Sequence, residues 1–298
     1  MMQIRARQII LVLILAITPF WVFAQTPHDK VRIGLIPEMN VFKQMERFKP
    51  LSAYLSEQSG IEVEFTILSR YGNIIENFRN KNLDGAFLGS FTGAMAIKQI
   101  GVVPLARPVN LDGKSTYHGY IYTRKDSGIK DVADMEGKRF AFVDKATTAG
   151  YVFPLAYLKE QGVTDPDSFF SDYFYTGSHD ASLLAVLNKK ADVGASKNTV
   201  FDWVRNSEPR IDVEIAIIAK SSRVPSNGLC VRNDLDTAIA QKLKDELLNL
   251  DATPEGKQIL EKMKYIRFID TTADDYRPVL SLAEKAGLDL EHYEYRNK

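Results

Sequence analysis

The sequence predicts an α/β fold of two lobes with a hinged cleft between them. Two observations carry this. Short β-branched and aromatic runs alternate with helix-period patterns in two separate series, and polar stretches join those series twice, near Lys114–Tyr117 and near Ser221–Asn227. Strands alternating with helices imply largely parallel sheets with right-handed crossovers. Two crossings between lobes imply a hinge.

The first series starts with the strand Val31–Ile36, closed by Pro37-Glu38-Met39-Asn40. Leu51, Tyr54 and Leu55 share one face of a helix over Phe48–Ser59, which Gly60 ends. Ile61–Leu68 alternates as a strand, Tyr71-Gly72 turns, and Ile74, Ile75 and Phe78 return to a helical period. Leu83–Leu88 is a strand, Gly89–Gly93 a small-residue turn, Ala94–Ile100 a helix and Val102–Val109 a strand.

The second series follows Tyr117–Thr123, a run of β-formers. It reads as strands at Phe140–Val143, Tyr173–Tyr175, Ala191–Ala195 and Val213–Ala219. The helices are Thr148–Gln161, Ala181–Asn188 and Asn198–Asn206. After a strand-like Gly228–Val231, the helical patterns are Ala238–Leu250, Gly256–Met263 and Tyr276–Ala286. This last part lacks a strand series and is expected to pack back onto the first lobe. The expected division is residues 25–116 plus 225–298 for one lobe and 117–224 for the other.

Residues 1–24 stand apart. Arg5 and Arg7 precede the apolar Ile9–Ala24, and Val22-Phe23-Ala24 offers a cleavage site, the anatomy of a secretory signal peptide. An uncleaved anchor is the alternative, though the apolar stretch is short for a span. Removal takes two of 38 basic and none of 38 acidic residues, leaving a formal charge of −2. That balance gives no sign of nucleic-acid binding. A single cysteine, Cys230, excludes an intrachain disulfide, and Gln25 leaves no lipid-accepting cysteine at the cleavage site. A soluble periplasmic protein, expected to be a monomer, fits these features.

Two polar turns look chemical: Val143–Gly150, with Thr147 and Thr148, and Thr176–Ser182, with His179. Each lies between a strand and a helix, so each aims backbone N–H groups and a positive helix end at one spot. Two such turns facing each other suit a small anion. The bland readings are an ordinary threonine N-cap and a histidine capping its own turn. Ser178-His179-Asp180 is no triad, because adjacent residues cannot face one another. Four histidines (His28, His118, His179, His292) show no metal-ligand spacing, and no cofactor is called for. Cys230 reads as a buried small hydrophobe.

Taken together, Arg70-Tyr71-Gly72, Tyr117–Tyr120, Lys125–Ile129, Thr147–Tyr151 with Pro154, Gly177–Ala181 and Ala191–Val193 resemble the phosphate/phosphite/phosphonate-binding periplasmic proteins, substrate-binding components of ABC importers. The resemblance covers about residues 30–290. It implies a type II periplasmic-binding-protein (Venus-flytrap) fold, with Tyr71, Tyr117, Thr147, Thr148 and His179 around a tetrahedral oxyanion. Ser90 and Asn227 are expected to complete the site. Thr147 stands where the family often has Ser, and Ala149 where it often has a second hydroxyl. The two acids that hold a ligand amine in some members fall at Thr199 and Asn227, so an amine-bearing ligand is disfavoured. The expected function is capture of phosphate, phosphite or a short alkylphosphonate for an ABC permease. The alternative is an oxyanion sensor, of phosphate or arsenate type, reporting to a membrane histidine kinase. No enzymatic activity is expected, and no lysine or arginine is among the expected contacts.

Overall fold

The computed structural model describes residues 30–295. The signal-peptide expectation for residues 1–24 lies outside them. The chain opens with β1 (Lys30–Leu35), β2 (Glu62–Ile67), β3 (Gly85–Leu88) and β4 (Val103–Asn110). It crosses through β5 (Thr116–Tyr117) into β6 (Gly119–Arg124), β7 (Arg139–Phe142), β8 (Asp172–Tyr175), β9 (Val193–Lys197) and β10 (Ile215–Lys220). It then returns through β11 (Val224–Pro225) to β12 (Gly228–Val231) and β13 (Tyr265–Asp270).

The first lobe is built on a six-stranded sheet, β13-β4-β12-β3-β1-β2, and the second on a five-stranded sheet, β10-β6-β9-β7-β8. In each, the strands of βαβ units are parallel (β2 and β3 on β1; β8 and β9 on β7), while strands entering by other routes are antiparallel. The sheet of the first lobe is thus less parallel than its strand–helix alternation predicts. β12 inserts antiparallel between β3 and β4, and β13 adds antiparallel to β4.

The helix Val41–Ser59 shows how local rules and packing combine. Asn40 caps it, its side chain accepting from Lys43 N–H, and Gly60 ends it in the left-handed conformation, its N–H donating to the Ser56 carbonyl. It begins earlier than the expected Phe48 and runs through Pro50, which removes one internal hydrogen bond. Phe48, Leu51, Tyr54 and Leu55 are buried, and Phe48 packs edge-on against Phe87 of β3 at 5.3 Å. Burial of that face, at roughly 1.5–3 kcal/mol per large apolar side chain, outweighs the lost bond.

The two crossings pair with each other. Val224 lies opposite Tyr117 and Pro225 opposite Thr116, making a two-stranded ribbon between the lobes. Asn110 Nδ2 donates to the Thr116 carbonyl (3.1 Å) and to Ser226 Oγ (2.9 Å), tying both crossings to the end of β4. The C-terminal part does not pack on the first lobe alone. Its strands β12 and β13 join that sheet, but the helix Arg277–Ala286 also packs on the second-lobe helix Phe153–Glu160, with Lys285 paired to Glu160 at 2.7 Å. No helix among the described residues is long and apolar enough to cross a membrane.

Candidate functional site

Five of the seven expected site residues lie beyond the carboxyl ends of parallel strands. This is where open α/β sheets place ligands. Tyr71 follows β2, Ser90 follows β3, Thr147 and Thr148 follow β7, and His179 follows β8. Tyr117 lies in the crossing ribbon itself, and Asn227 between β11 and β12. All seven are nearly inaccessible to solvent.

Hydroxyls meet at the centre. Ser90 Oγ is 2.7 Å from Tyr117 OH and 2.6 Å from Thr148 Oγ1, joining first lobe, ribbon and second lobe. Burial pushes the Tyr117 phenol up to about 12, so it remains a proton donor at neutral pH. Tyr71 OH is buried and has no hydrogen-bond partner among the described residues. Its ring stands edge-on to His179, centroids 6.1 Å apart. A buried phenol left unbonded is costly, and a bound acceptor would relieve it.

Thr148 opens a wide π-type turn, Thr148–Val152, before the helix Phe153–Glu160. Gly150 allows this helix start to lie close on the strand, since a Cβ there would come within 2.4 Å of the Val143 side chain. Asp144 stiffens the loop by accepting from Ala146 N–H at 2.8 Å. Thr147 donates its hydroxyl proton to the Asp144 carbonyl at 2.7 Å. That proton is therefore held within the turn, leaving Thr148 as the hydroxyl that reaches the cleft.

The second turn contributes differently from expectation. Two of the first three N–H groups of its helix, His179–Leu187, are already engaged. His179 N–H donates to the Glu38 carbonyl at 3.1 Å, and Ala181 N–H to Asp180 Oδ1 at 2.9 Å. The imidazole is what faces inward. Its Nδ1 accepts the Lys197 backbone N–H at 3.3 Å, which puts the ring proton on Nε2. Burial lowers the His179 pKa to about 4, against the opposing pull of Glu38. With its pKa held that low by burial, the ring is neutral at physiological pH and donates through Nε2.

The cation is Lys197, at the end of β9, and sequence reasoning missed it. Its Nζ lies 2.8 Å from Glu38 Oε1, 3.0 Å from Asn227 Oδ1 and 4.5 Å from the centre of the Tyr117 ring. Both charged side chains are 6% exposed, and each comes from a different lobe. Burial pushes the Glu38 carboxyl up, but Lys197, through charge and hydrogen bond, pulls it down further, to below the usual carboxylate range. The clue was positional. Glu38 follows β1 and Lys197 ends β9, so both occupy strand ends like the residues that were found.

Thr199 lines a cavity of about 350 Å³ with His118, Asp202 and Trp203. A cavity of about 830 Å³ is lined by Arg79, Lys98 and the C-terminal Tyr293. Among the described residues no cluster of three or more His, Cys, Asp or Glu could hold a metal ion. Cys230 is buried in β12 with its thiol pushed up to about 12, away from the site.

Comparison with known proteins identifies the family and the fold. Residues 33–276 match the family described as ABC transporter, phosphonate, periplasmic substrate-binding protein. The phosphonates-binding periplasmic protein of Escherichia coli is 24% identical, over 87% of this chain and 78% of that protein. A phosphate-import protein of Mycolicibacterium smegmatis is 28% identical, over 72% of this chain and 70% of that protein. A phosphite-binding ABC transporter protein of Prochlorococcus marinus is 25% identical, over 86% and 89%. Among solved structures, the binding protein of a Pseudomonas aeruginosa phosphonate transporter superposes with a TM-score of 0.81, at 24% identity and 87% coverage of both chains. A Prochlorococcus marinus protein in complex with methylphosphonate gives 0.78, at 22% identity, over 87% of this chain and 98% of that one. The fold is the type II periplasmic-binding-protein fold. With a family match across most of its length, this chain belongs to the periplasmic substrate-binding components of phosphonate ABC transporters, which are carriers and not enzymes.

Proposed function

We propose that this protein captures a compact tetrahedral phosphorus oxyanion (phosphate, phosphite or a short alkylphosphonate) between its lobes and presents it to an ABC permease as a monomer. The observation that carries the reading is the hydroxyl cluster of Ser90, Tyr117 and Thr148, together with the buried Tyr71 hydroxyl, which has no partner among the described residues. In it, hydroxyls bond to one another. An oxyanion would replace those neutral bonds with charge-assisted ones, which are roughly twice as strong. The Nε2–H of His179 and the helix start at Thr148 add donors on the second lobe. Thr147 supports the turn, and Asn227 holds Lys197 in place.

Closure follows from the division of these groups. Tyr71 and Ser90 belong to the first lobe, Thr148 and His179 to the second. A ligand touching both favours the closed arrangement, because only differential contact shifts such an equilibrium.

A thermal-shift panel of phosphate, phosphite, methylphosphonate, arsenate and sulfate tests the reading. A true ligand at ~100 times its dissociation constant adds about 2.7 kcal/mol of stability. Absence of any shift with every phosphorus anion would defeat it.

A further inference from the structure

The ammonium of Lys197 is caged. Glu38 Oε1 and Asn227 Oδ1 accept from it, and the face of the Tyr117 ring lies against it at 4.5 Å. A carboxylate, an amide oxygen and an aromatic face are the three kinds of group that recognise a cationic amine. This cage adjoins the oxyanion cluster, since the hydroxyl of the same tyrosine bonds Ser90. The cleft therefore holds, side by side, donors for an oxyanion and acceptors for an ammonium, and the acceptors are already occupied by a side chain of the protein.

We propose that Lys197 is a specificity-determining residue, its ammonium filling the place that a ligand's own amino group would take and restricting the cleft to phosphorus oxyanions without a cationic substituent. The inference rests on the oxyanion-capture reading above and deepens it. An aminoalkylphosphonate entering the cleft would bring a second ammonium against Lys197 with one carboxylate between them. In a buried site of low effective dielectric, that repulsion is strong. An anion without an amine meets no such obstacle and gains from the nearby positive charge.

Removing the lysine side chain would leave Glu38, Asn227 and the Tyr117 ring as an unfilled ammonium site. The test is calorimetric titration of the wild type and Lys197→Ala with methylphosphonate and with aminoethylphosphonate. The wild type is expected to prefer methylphosphonate by about tenfold or more, and Lys197→Ala to shift that ratio by about tenfold or more towards aminoethylphosphonate. A gain of binding to the amine cannot come from damage to the fold. Lys197→Gln, whose amide still donates to Glu38, is expected to move the ratio in the same direction if the alanine variant fails to fold. Equal losses for both ligands would make Lys197 a purely structural clasp and overturn the proposal. So would a wild type that binds both equally. A wild type that binds no phosphorus anion defeats the oxyanion reading itself, a result distinct from an unchanged ratio.

Discussion

The hydroxyl oxygens of Ser90 and Thr148 stand 2.6 Å apart, one carried by each lobe. This pair bridges the lobes, and under the proposed function a bound oxyanion would be shared between the same two groups. Ser90→Ala and Thr148→Ala are each expected to weaken phosphonate binding by roughly 1.5–3 kcal/mol, the value of a hydrogen bond to a charged acceptor. Titration calorimetry against methylphosphonate checks this. Thr147→Ala should affect stability more than affinity, since its hydroxyl proton is held by Asp144. A greater loss of affinity from Thr147→Ala than from Thr148→Ala would contradict the assignment.

His179→Ala is expected to weaken binding about tenfold, or 1.4 kcal/mol. Because burial keeps the ring neutral, with a pKa of about 4, its contribution to affinity should persist between pH 6 and 8. The ligand's own ionisation changes there, so wild type and variant are compared at each pH. A variant-to-wild-type ratio that collapses as pH rises would show a protonated donor instead.

The same depressed pKa links histidine to stability. In the unfolded chain His179 titrates near 6.5, and in the fold near 4, so the unfolded state binds more protons between them. Stability from this group is full above 6.5 and is lost as pH falls towards 4, up to about 3 kcal/mol. Burial sets that value chiefly, with the nearby charges of Glu38, Lys197 and Asp180 adjusting it, and the Tyr71 ring stands edge-on to it. Thermal melts from pH 7 to 4 should fall less steeply in His179→Gln than in the wild type.

The Glu38–Lys197 pair joins the two lobes, so separating them would break it. Breaking a buried pair from one side costs about 3–5 kcal/mol, because the remaining charge is left uncompensated. Here the closed arrangement bears that cost, since opening would rehydrate the charge. Glu38→Gln is therefore expected to enlarge the ligand-free protein in small-angle scattering. Glu38→Gln combined with Lys197→Met should restore compactness. Identical dimensions for wild type and Glu38→Gln would show that the pair does not govern closure.

The C-terminal segment also reaches the second-lobe turn. Tyr295 OH donates to Asp144 Oδ2 at 2.7 Å, and Tyr293 OH to the Lys145 carbonyl at 2.9 Å. Asp144→Ala removes both this anchor and the cap on Ala146, and should cost about 1–2 kcal/mol of stability. Tyr295→Phe should cost about half as much, as read from urea midpoints.

Thr148 and His179 stood out in the sequence because they sit in polar turns between a strand and a helix, whereas Tyr71 and Tyr117 were expected only from the family resemblance. Gly150 and Gly177 mark those turns, and Gly89 the small-residue turn that holds Ser90. Lys197 and Glu38 escaped notice because a lysine or glutamate beside a strand usually reads as a solvated end, and only the partner from the other lobe makes each one buried. β13 escaped for a related reason. Tyr265–Asp270 buries only Tyr265 and Phe268, so no alternation marks it, and it becomes a strand by adding to the exposed edge of β4. The early start of the first helix was hidden by Pro50, which reads as a first helical position and here lies inside.

The place of β12 has a consequence for assembly. Within the first sheet, β4 is joined to β3 only through β12, which comes from beyond the whole second lobe in sequence. The second sheet draws on residues 119–220 without interruption. A chain made from its N-terminus can thus complete the second lobe while the first still lacks its middle strand, and long-range pairing of this kind is slow. The lobe that begins the polypeptide is the last to be finished, and with it the half of the site carrying Glu38, Tyr71 and Ser90.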